Sequence, residues 1–110
     1  MQKASYHNEK MPELMAHMAA EFIGLESNRT SLITVTSCKL SSDNKYGTIF
    51  FTVLPDNQER AASDFLDRKR KEFKMFVREK SRIGRIPEIT FVLDLGEKNR
   101  QKIDFLSNTD

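Results

Sequence analysis

The chain is predicted to fold as an α+β domain in the order α-β-β-α-α-β, a three-stranded sheet with helices packed on one face. Three observations carry this reading. Apolar residues recur at helical three- and four-residue spacing before residue 26 and again from Glu59 onward. Between them lie two alternating, β-branched stretches joined by a short polar turn, which is the signature of an antiparallel hairpin. A last alternating stretch follows the second helical region. At 110 residues the chain has material for one modest core, so residues 1–110 are read as a single domain.

Each element has its own signal. From Pro12 to Leu25, the residues Leu14, Met15, Met18, Phe22 and Leu25 share one helix face. Pro12 suits the first turn, where its missing N–H costs nothing, and the pattern can extend back toward Tyr6. The polar run Glu26 to Ser31 breaks the period. In Leu32 to Leu40, Ile33 and Val35 point one way while Cys38 and Leu40 have the opposite parity. Only a β-bulge near Thr36 and Ser37 brings both pairs to one face. Ser41-Ser42-Asp43-Asn44-Lys45 is turn chemistry. In Gly47 to Leu54, Ile49, Phe51 and Val53 face inward, and Pro55 with Asp56 ends the strand.

From Glu59, the residues Ala62, Phe65, Leu66, Phe73, Phe76, Val77 and Ile83 trace one stripe, interrupted where Lys69 and Lys80 fall on it. A straight helix from Glu59 to Ile83 would be about 37 Å long at 1.5 Å per residue. That is longer than so small a domain, and its far end would leave the sheet. A break is therefore expected between Leu66 and Phe73, with Lys69-Arg70-Lys71 exposed at the corner. Gly84 marks the end of the second helix. Ile86 to Asp94 alternates again, with Ile89, Phe91 and Leu93 inward. Gly96 to Lys98 reads as a loop, and Ile103, Phe105 and Leu106 as a short apolar tail before a polar end.

Charge is distributed unevenly. Residues 68 to 85 hold nine of the eighteen basic residues: Arg68, Lys69, Arg70, Lys71, Lys74, Arg78, Lys80, Arg82 and Arg85. Only Glu72 and Glu79 oppose them, so this segment carries +7 while the whole chain carries +2. Most charge runs are solvated helix faces. This one is single-signed and interleaved with an apolar stripe, on an otherwise acidic body. Such a strip is what phosphate recognition requires, because Lys and Arg release the counterions condensed on a nucleic acid. Lys39 and Lys45, near the hairpin, are possible secondary contacts.

Four segments resemble the ribosome-binding factor A family. Leu32-Ile33-Thr34-Val35-Thr36, with Ser42-Asp43 in the turn, is similar to its first strand, and Thr48 to Leu54 to its second. Arg82 to Asp94 resembles its helix-to-strand passage, where the pair Pro87-Glu88 opens the last strand. Lys102-Ile103-Asp104-Phe105-Leu106 resembles its closing segment. The resemblance covers about residues 9 to 106. It implies a KH-like fold of the second type and binding to the small ribosomal subunit and its ribosomal RNA. It further implies help in late subunit maturation, including processing of the RNA 5′ end, and support of growth in the cold. A usual KH domain clamps nucleic-acid backbone with a G-x-x-G loop, and the four glycines here contain no such pair. This family has an interhelical A-x-G kink instead, and Lys69, Arg70 and Lys71 stand at the matching positions.

The residues offer little for catalysis. His7 lies in the polar leader and His17 flanks the first helix's apolar stripe; both read as surface residues. Cys38 sits in a strand, where a small buried hydrophobe is the usual case. Glu72 and Glu79 are two helical turns apart, but their Lys and Arg neighbours make ordinary ion pairs the better reading. No phosphate-loop, metal-ligand or His-Asp pattern is present, so neither metal nor cofactor is expected. A single cysteine, no apolar run long enough to span a membrane and no apolar leader suit a cytoplasmic monomer with no small-molecule substrate. The competing reading is a protein-interaction module whose basic strip docks an acidic partner.

Overall fold

The computed structural model describes residues 10–27 and 31–107, with side chains as far as Gln101. Its elements run α1 (Met11–Glu26), β1 (Leu32–Leu40), β2 (Tyr46–Leu54), a 3-10 turn (Asp56–Gln58), α2 (Glu59–Arg68), α3 (Arg70–Lys80), β3 (Glu88–Leu93) and α4 (Leu95–Ser107). The expected order is present, with one helix added at the end. Any start of the first helix near Tyr6 lies outside the described residues.

The sheet has the strand order β1-β2-β3. β1 and β2 pair antiparallel, and their register slips between Val35 and Ser37, where strand parity requires a bulge. β3 pairs with β2 in parallel, from Tyr46↔Glu88 to Phe51↔Leu93. Parallel neighbours need a crossover connection, and α2 with α3 supplies it. This mixed sheet with helices on one face is the KH-like arrangement of the second type.

The core forms where the helices meet the inward side of the sheet. α1 buries Leu14, Met15, Met18, Ala19, Phe22 and Ile23. α2 adds Ala62 and Leu66, and α3 adds Phe73 and Val77. They cover Ile49, Phe51, Val53, Ile89 and Phe91. The centre is aromatic: Phe73 lies 5.5 Å from Phe22 and 5.7 Å from Phe91, and Phe22 lies 5.4 Å from Phe76, between ring centroids. Phe65 and Phe76 flank this centre half-buried.

Three expectations are corrected. Leu25 is 69% exposed, because a helix face buries a residue only where another element covers it; Ile23 is buried instead. α3 ends at Lys80, not at Gly84. Ser81 turns the chain out in an extended conformation, and its Oγ donates to the Val77 carbonyl at 2.8 Å, so a hydroxyl replaces the expected glycine cap. Finally, the segment read as a loop and tail is helix α4. Asp94 opens it: Oδ1 accepts the Glu97 N–H at 2.9 Å, and its carbonyl accepts the Lys98 N–H at 2.9 Å. The Asp-x-x-Glu spacing was the available signal, and Gly96 masked it. The side chains of Ile103, Phe105 and Leu106 lie outside the described residues.

Asp94 has a second partner. Thr36, the residue at the bulge, donates its hydroxyl to Asp94 Oδ2 at 2.5 Å. This bond first, and the Glu97 N–H second, hold the Asp94 carboxyl below its ordinary value. One side chain thus joins the β1 bulge, the end of β3 and the start of α4. Lys98 adds an ion pair from α4 to Glu59 of α2 at 2.9 Å.

The core and the Asp94 junction can each be tested by substitution. Phe73→Ala is expected to cost about 3–5 kcal/mol in urea denaturation, whereas Met75→Ala, at a 51% exposed position on the same helix, should stay within about 0.5 kcal/mol. Asp94→Ala should cost about 0.5–2 kcal/mol at neutral pH. Because the folded-state pKa of Asp94 is depressed, its stabilisation is complete above the ordinary value of 3.8 and disappears as pH falls through the lower folded value. The gap between wild type and variant should therefore close in acid.

Candidate nucleic-acid interface

The interface begins at the corner between α2 and α3, which turns on one residue. Lys69 has φ −97° and ψ 5°. Its N–H is shared between the carbonyls of Phe65 (3.2 Å) and Leu66 (3.1 Å), and its own carbonyl accepts the Phe73 N–H at 2.9 Å. These dihedrals are open to any L-residue, so the break falls where expected and needs no glycine. Arg70 and Lys71 are exposed at the corner. They stand on the first turn of α3, where the positive end of the helix dipole adds to their charge.

Lys69 differs from the expected exposed triplet. Its side chain is 30% exposed, with Nζ 3.3 Å from Glu26 and 3.9 Å from Glu72. It also lies 5.9 Å over the Phe65 ring, as Lys80 lies 5.8 Å over that of Phe76. Both lysines fall on the apolar stripe, and each places its ammonium over an aromatic face. Lys69 ties the corner to the end of α1.

The other cations gather elsewhere. Along α3, Lys71, Lys74 and Arg78 recur at three- and four-residue spacing and so share one face. That face borders the start of β3. A groove of about 480 Å³ there is lined by Asp67, Arg68, Arg70, Lys71 and Lys74 from the helices, by Pro87 just before the strand and by Glu88 and Ile89 within it. A second groove of about 350 Å³ is lined by Lys45, Tyr46, Lys74, Arg78, Arg85 and Glu88, among others. Lys74 and Glu88 line both, so the two grooves adjoin at this ion pair and together make a basic channel along the α3–β3 edge. The fold brings Lys45 from the hairpin turn into this channel. Lys39, exposed on β1, lines neither groove, and Arg82 is exposed on the segment after α3.

An anion in the channel meets two carboxylates, Asp67 and Glu88, and the second already engages a cation. Glu88 Oε2 accepts from Lys74 Nζ at 2.8 Å, and this bond, with the nearby charge of Lys74 and Arg70, holds the Glu88 carboxyl below its ordinary value. Periodicity alone missed Glu88, which the sequence shows only as the residue opening a strand. It also missed Tyr46, whose ring is 64% exposed beside Lys45.

Two of the groups considered for catalysis stay apart from this channel, and His7 lies outside the described residues. His17 on α1 and Cys38 on β1 line a separate groove. Burial pushes the Cys38 thiol up to about 11, which keeps it protonated at neutral pH, the reverse of nucleophilic activation. Among the described residues no cluster of His, Cys, Asp or Glu could hold a metal ion, and no helix is long and apolar enough to cross a membrane.

The channel gives a direct prediction. Glu88→Gln removes the carboxylate that competes with a polyanion for Lys74. Affinity for heparin or single-stranded RNA should rise by up to about fivefold, a small factor because the ion pair is exposed to solvent. Thermal stability should change little. Filter binding at fixed salt reads the effect, and a loss of affinity would contradict the geometry.

Comparison with known proteins places the chain in a family. A family model described as "Ribosome-binding factor A" matches residues 7–107. The Ribosome-binding factor A of Lacticaseibacillus casei is 32% identical over 82 residues, covering 73% of this chain and 70% of its own length. That of Phytoplasma mali is 26% identical over 102 residues, covering 88% and 90%. Among solved structures, ribosome-binding factor A from Thermus thermophilus superposes with a TM-score of 0.68 at 20% identity, covering 76% of this chain and 90% of its own. A T. thermophilus homology model fitted into the cryo-EM map of a 30S complex of that factor gives 0.64 at 22% identity, covering 74% and 88%. At these identities the structural likeness speaks for the fold, and the sequence match decides the family. This chain belongs to the ribosome-binding factor A family.

Proposed function

We propose that this protein binds the small ribosomal subunit through its ribosomal RNA and assists late maturation of that particle, including processing of the RNA 5′ end. It does this as a cytoplasmic monomer, by binding and without catalysing a reaction, and it supports growth in the cold. The observation that carries the reading is the channel. Arg68, Arg70, Lys71, Lys74, Arg78 and Arg85 line two adjoining grooves, and a polyanion laid along both would meet all six. The fitted 30S complex of a relative supports the same partner. Lys69, Lys80 and Arg82 are peripheral contacts, since two of them lie over aromatic rings and the third stands outside both grooves.

In this proposal phosphates are held by charge and by the first turn of α3, in place of a G-x-x-G loop. The protein contributes position, not chemistry: an RNA segment held along α3 cannot at the same time take up a competing structure.

Sedimentation of the tagged protein through sucrose gradients tests the partner. It should travel with free small subunits, and nuclease digestion of the RNA should release it; retention after digestion would favour an acidic protein partner. Salt titration tests the residues. The log–log slope of affinity against salt should become shallower by about 1.4 in Arg70→Gln/Lys71→Gln, at about 0.7 for each phosphate no longer neutralised. Lys69 is kept in that variant because it holds Glu26, so the melting temperature should be unchanged. An unaltered slope would remove the corner from the interface.

A further inference from the structure

We propose that Tyr46 is a stacking platform for one unpaired nucleobase of the RNA lying in the channel. The inference rests on the RNA-binding reading and adds to it a preference for single-stranded over duplex RNA.

The first support is placement. Tyr46 is the opening residue of β2, paired with Glu88 of β3. Its ring lines the groove that Lys45, Arg78 and Arg85 surround, and it is 64% exposed. An exposed aromatic ring usually meets water on both faces without use. This one sits among cations that attract phosphates, so any RNA drawn to them carries its bases past the ring. Every base has a π-face, so the ring can accept an unpaired base of any identity.

The second support is rigidity. The Tyr46 N–H donates to Ser41 Oγ at 3.1 Å, and its carbonyl accepts the Ser41 N–H at 2.8 Å. Ser41 Oγ donates in turn to Asp43 Oδ1 at 2.7 Å, which also accepts the Lys45 N–H at 3.0 Å. Asn44 closes the turn at φ 59°, a left-handed conformation that Asn tolerates. On the other side, Gly47 packs so tightly that a Cβ would strike Leu40 and stand 3.0 Å from Ile89. The backbone carrying Tyr46 is therefore fixed from both directions, so only the side chain loses freedom when a base stacks on it.

Duplex RNA offers no free base face except at its ends. The cations can hold a duplex as well as a single strand, whereas the ring can serve only the single strand.

The chain has no tryptophan and two tyrosines, Tyr6 and Tyr46, so in a Tyr6→Phe background tyrosine emission reports Tyr46 alone. Eight-nucleotide oligoadenylate and oligouridylate, a capped A-form hairpin and oligoglutamate serve as probes. Single strands should quench the emission and the hairpin should not. Tyr46→Leu should weaken single-strand binding roughly 5- to 100-fold, the range expected when one stacked base loses its platform. It should leave hairpin binding and melting temperature unchanged, and Tyr46→Phe should bind as wild type. Undiminished single-strand affinity in Tyr46→Leu, with Arg70→Gln/Lys71→Gln weakened, would overturn stacking while leaving the ribosomal RNA reading intact. Equal losses toward oligoglutamate and RNA would assign the ring to a protein partner and overturn it as well. A wild-type chain that binds no RNA would overturn both.

Discussion

Phe73 packs against Phe22 of α1 on one side and Phe91 of β3 on the other, and this three-ring contact determines where α3 lies. Each ring buries a large apolar area, and each tilted pair adds about 0.5–1.5 kcal/mol beyond that area. Leu66 and Phe73 share one helix face, but a straight crossover from Glu59 to Lys80 would run about 33 Å and carry one end off the sheet, so the helix breaks between them. The turn at Lys69 follows. It costs little, because Lys69 keeps its N–H bonded to two carbonyls and adopts an unstrained conformation. With the inner face of α3 committed to Phe73 and Val77, its outer face presents Lys71, Lys74 and Arg78 beside the start of β3. The basic channel is the other side of the aromatic core.

The same geometry explains why nine clustered cations do not act alike. On a helix, residues three or four apart share a face, so a run of basic residues is distributed around the axis. Lys69 and Lys80 fall on the apolar stripe and are accommodated over Phe65 and Phe76. Lys74 faces the channel but is engaged by Glu88. A segment of net charge +7 thus divides into cations that support the fold and cations that face the channel.

Asp94 plays a comparable organising role at the opposite end of the sheet. The bulge in β1 leaves Thr36 without a paired residue on β2, and its hydroxyl reaches the carboxylate that opens α4. A local irregularity in one strand is used to place the last helix, and Lys98 then links that helix to α2.

Neighbour relations along the chain suffice for the element order through β3, the bulge near Thr36 and the inward residues of the three strands. They also suffice for the break between Leu66 and Phe73 and the basic character of α3. Each of these rests on periodicity, parity, length or charge. Packing settled the rest. Leu25 has the right phase for burial and no cover. Ser81 ends α3 although Gly84 carried the stronger local signal, because a hydroxyl back-bond was available. Whether a lysine supports the fold or faces the channel depends on what packs beside it, as Glu26 does for Lys69 and Glu88 for Lys74. The pairing of β3 with β2 brings Glu88 beside Tyr46 and, with it, Lys45 to the edge of α3, although these residues lie far apart in the chain. No local pattern encodes that proximity, since it exists only once the crossover has closed and the aromatic core has formed.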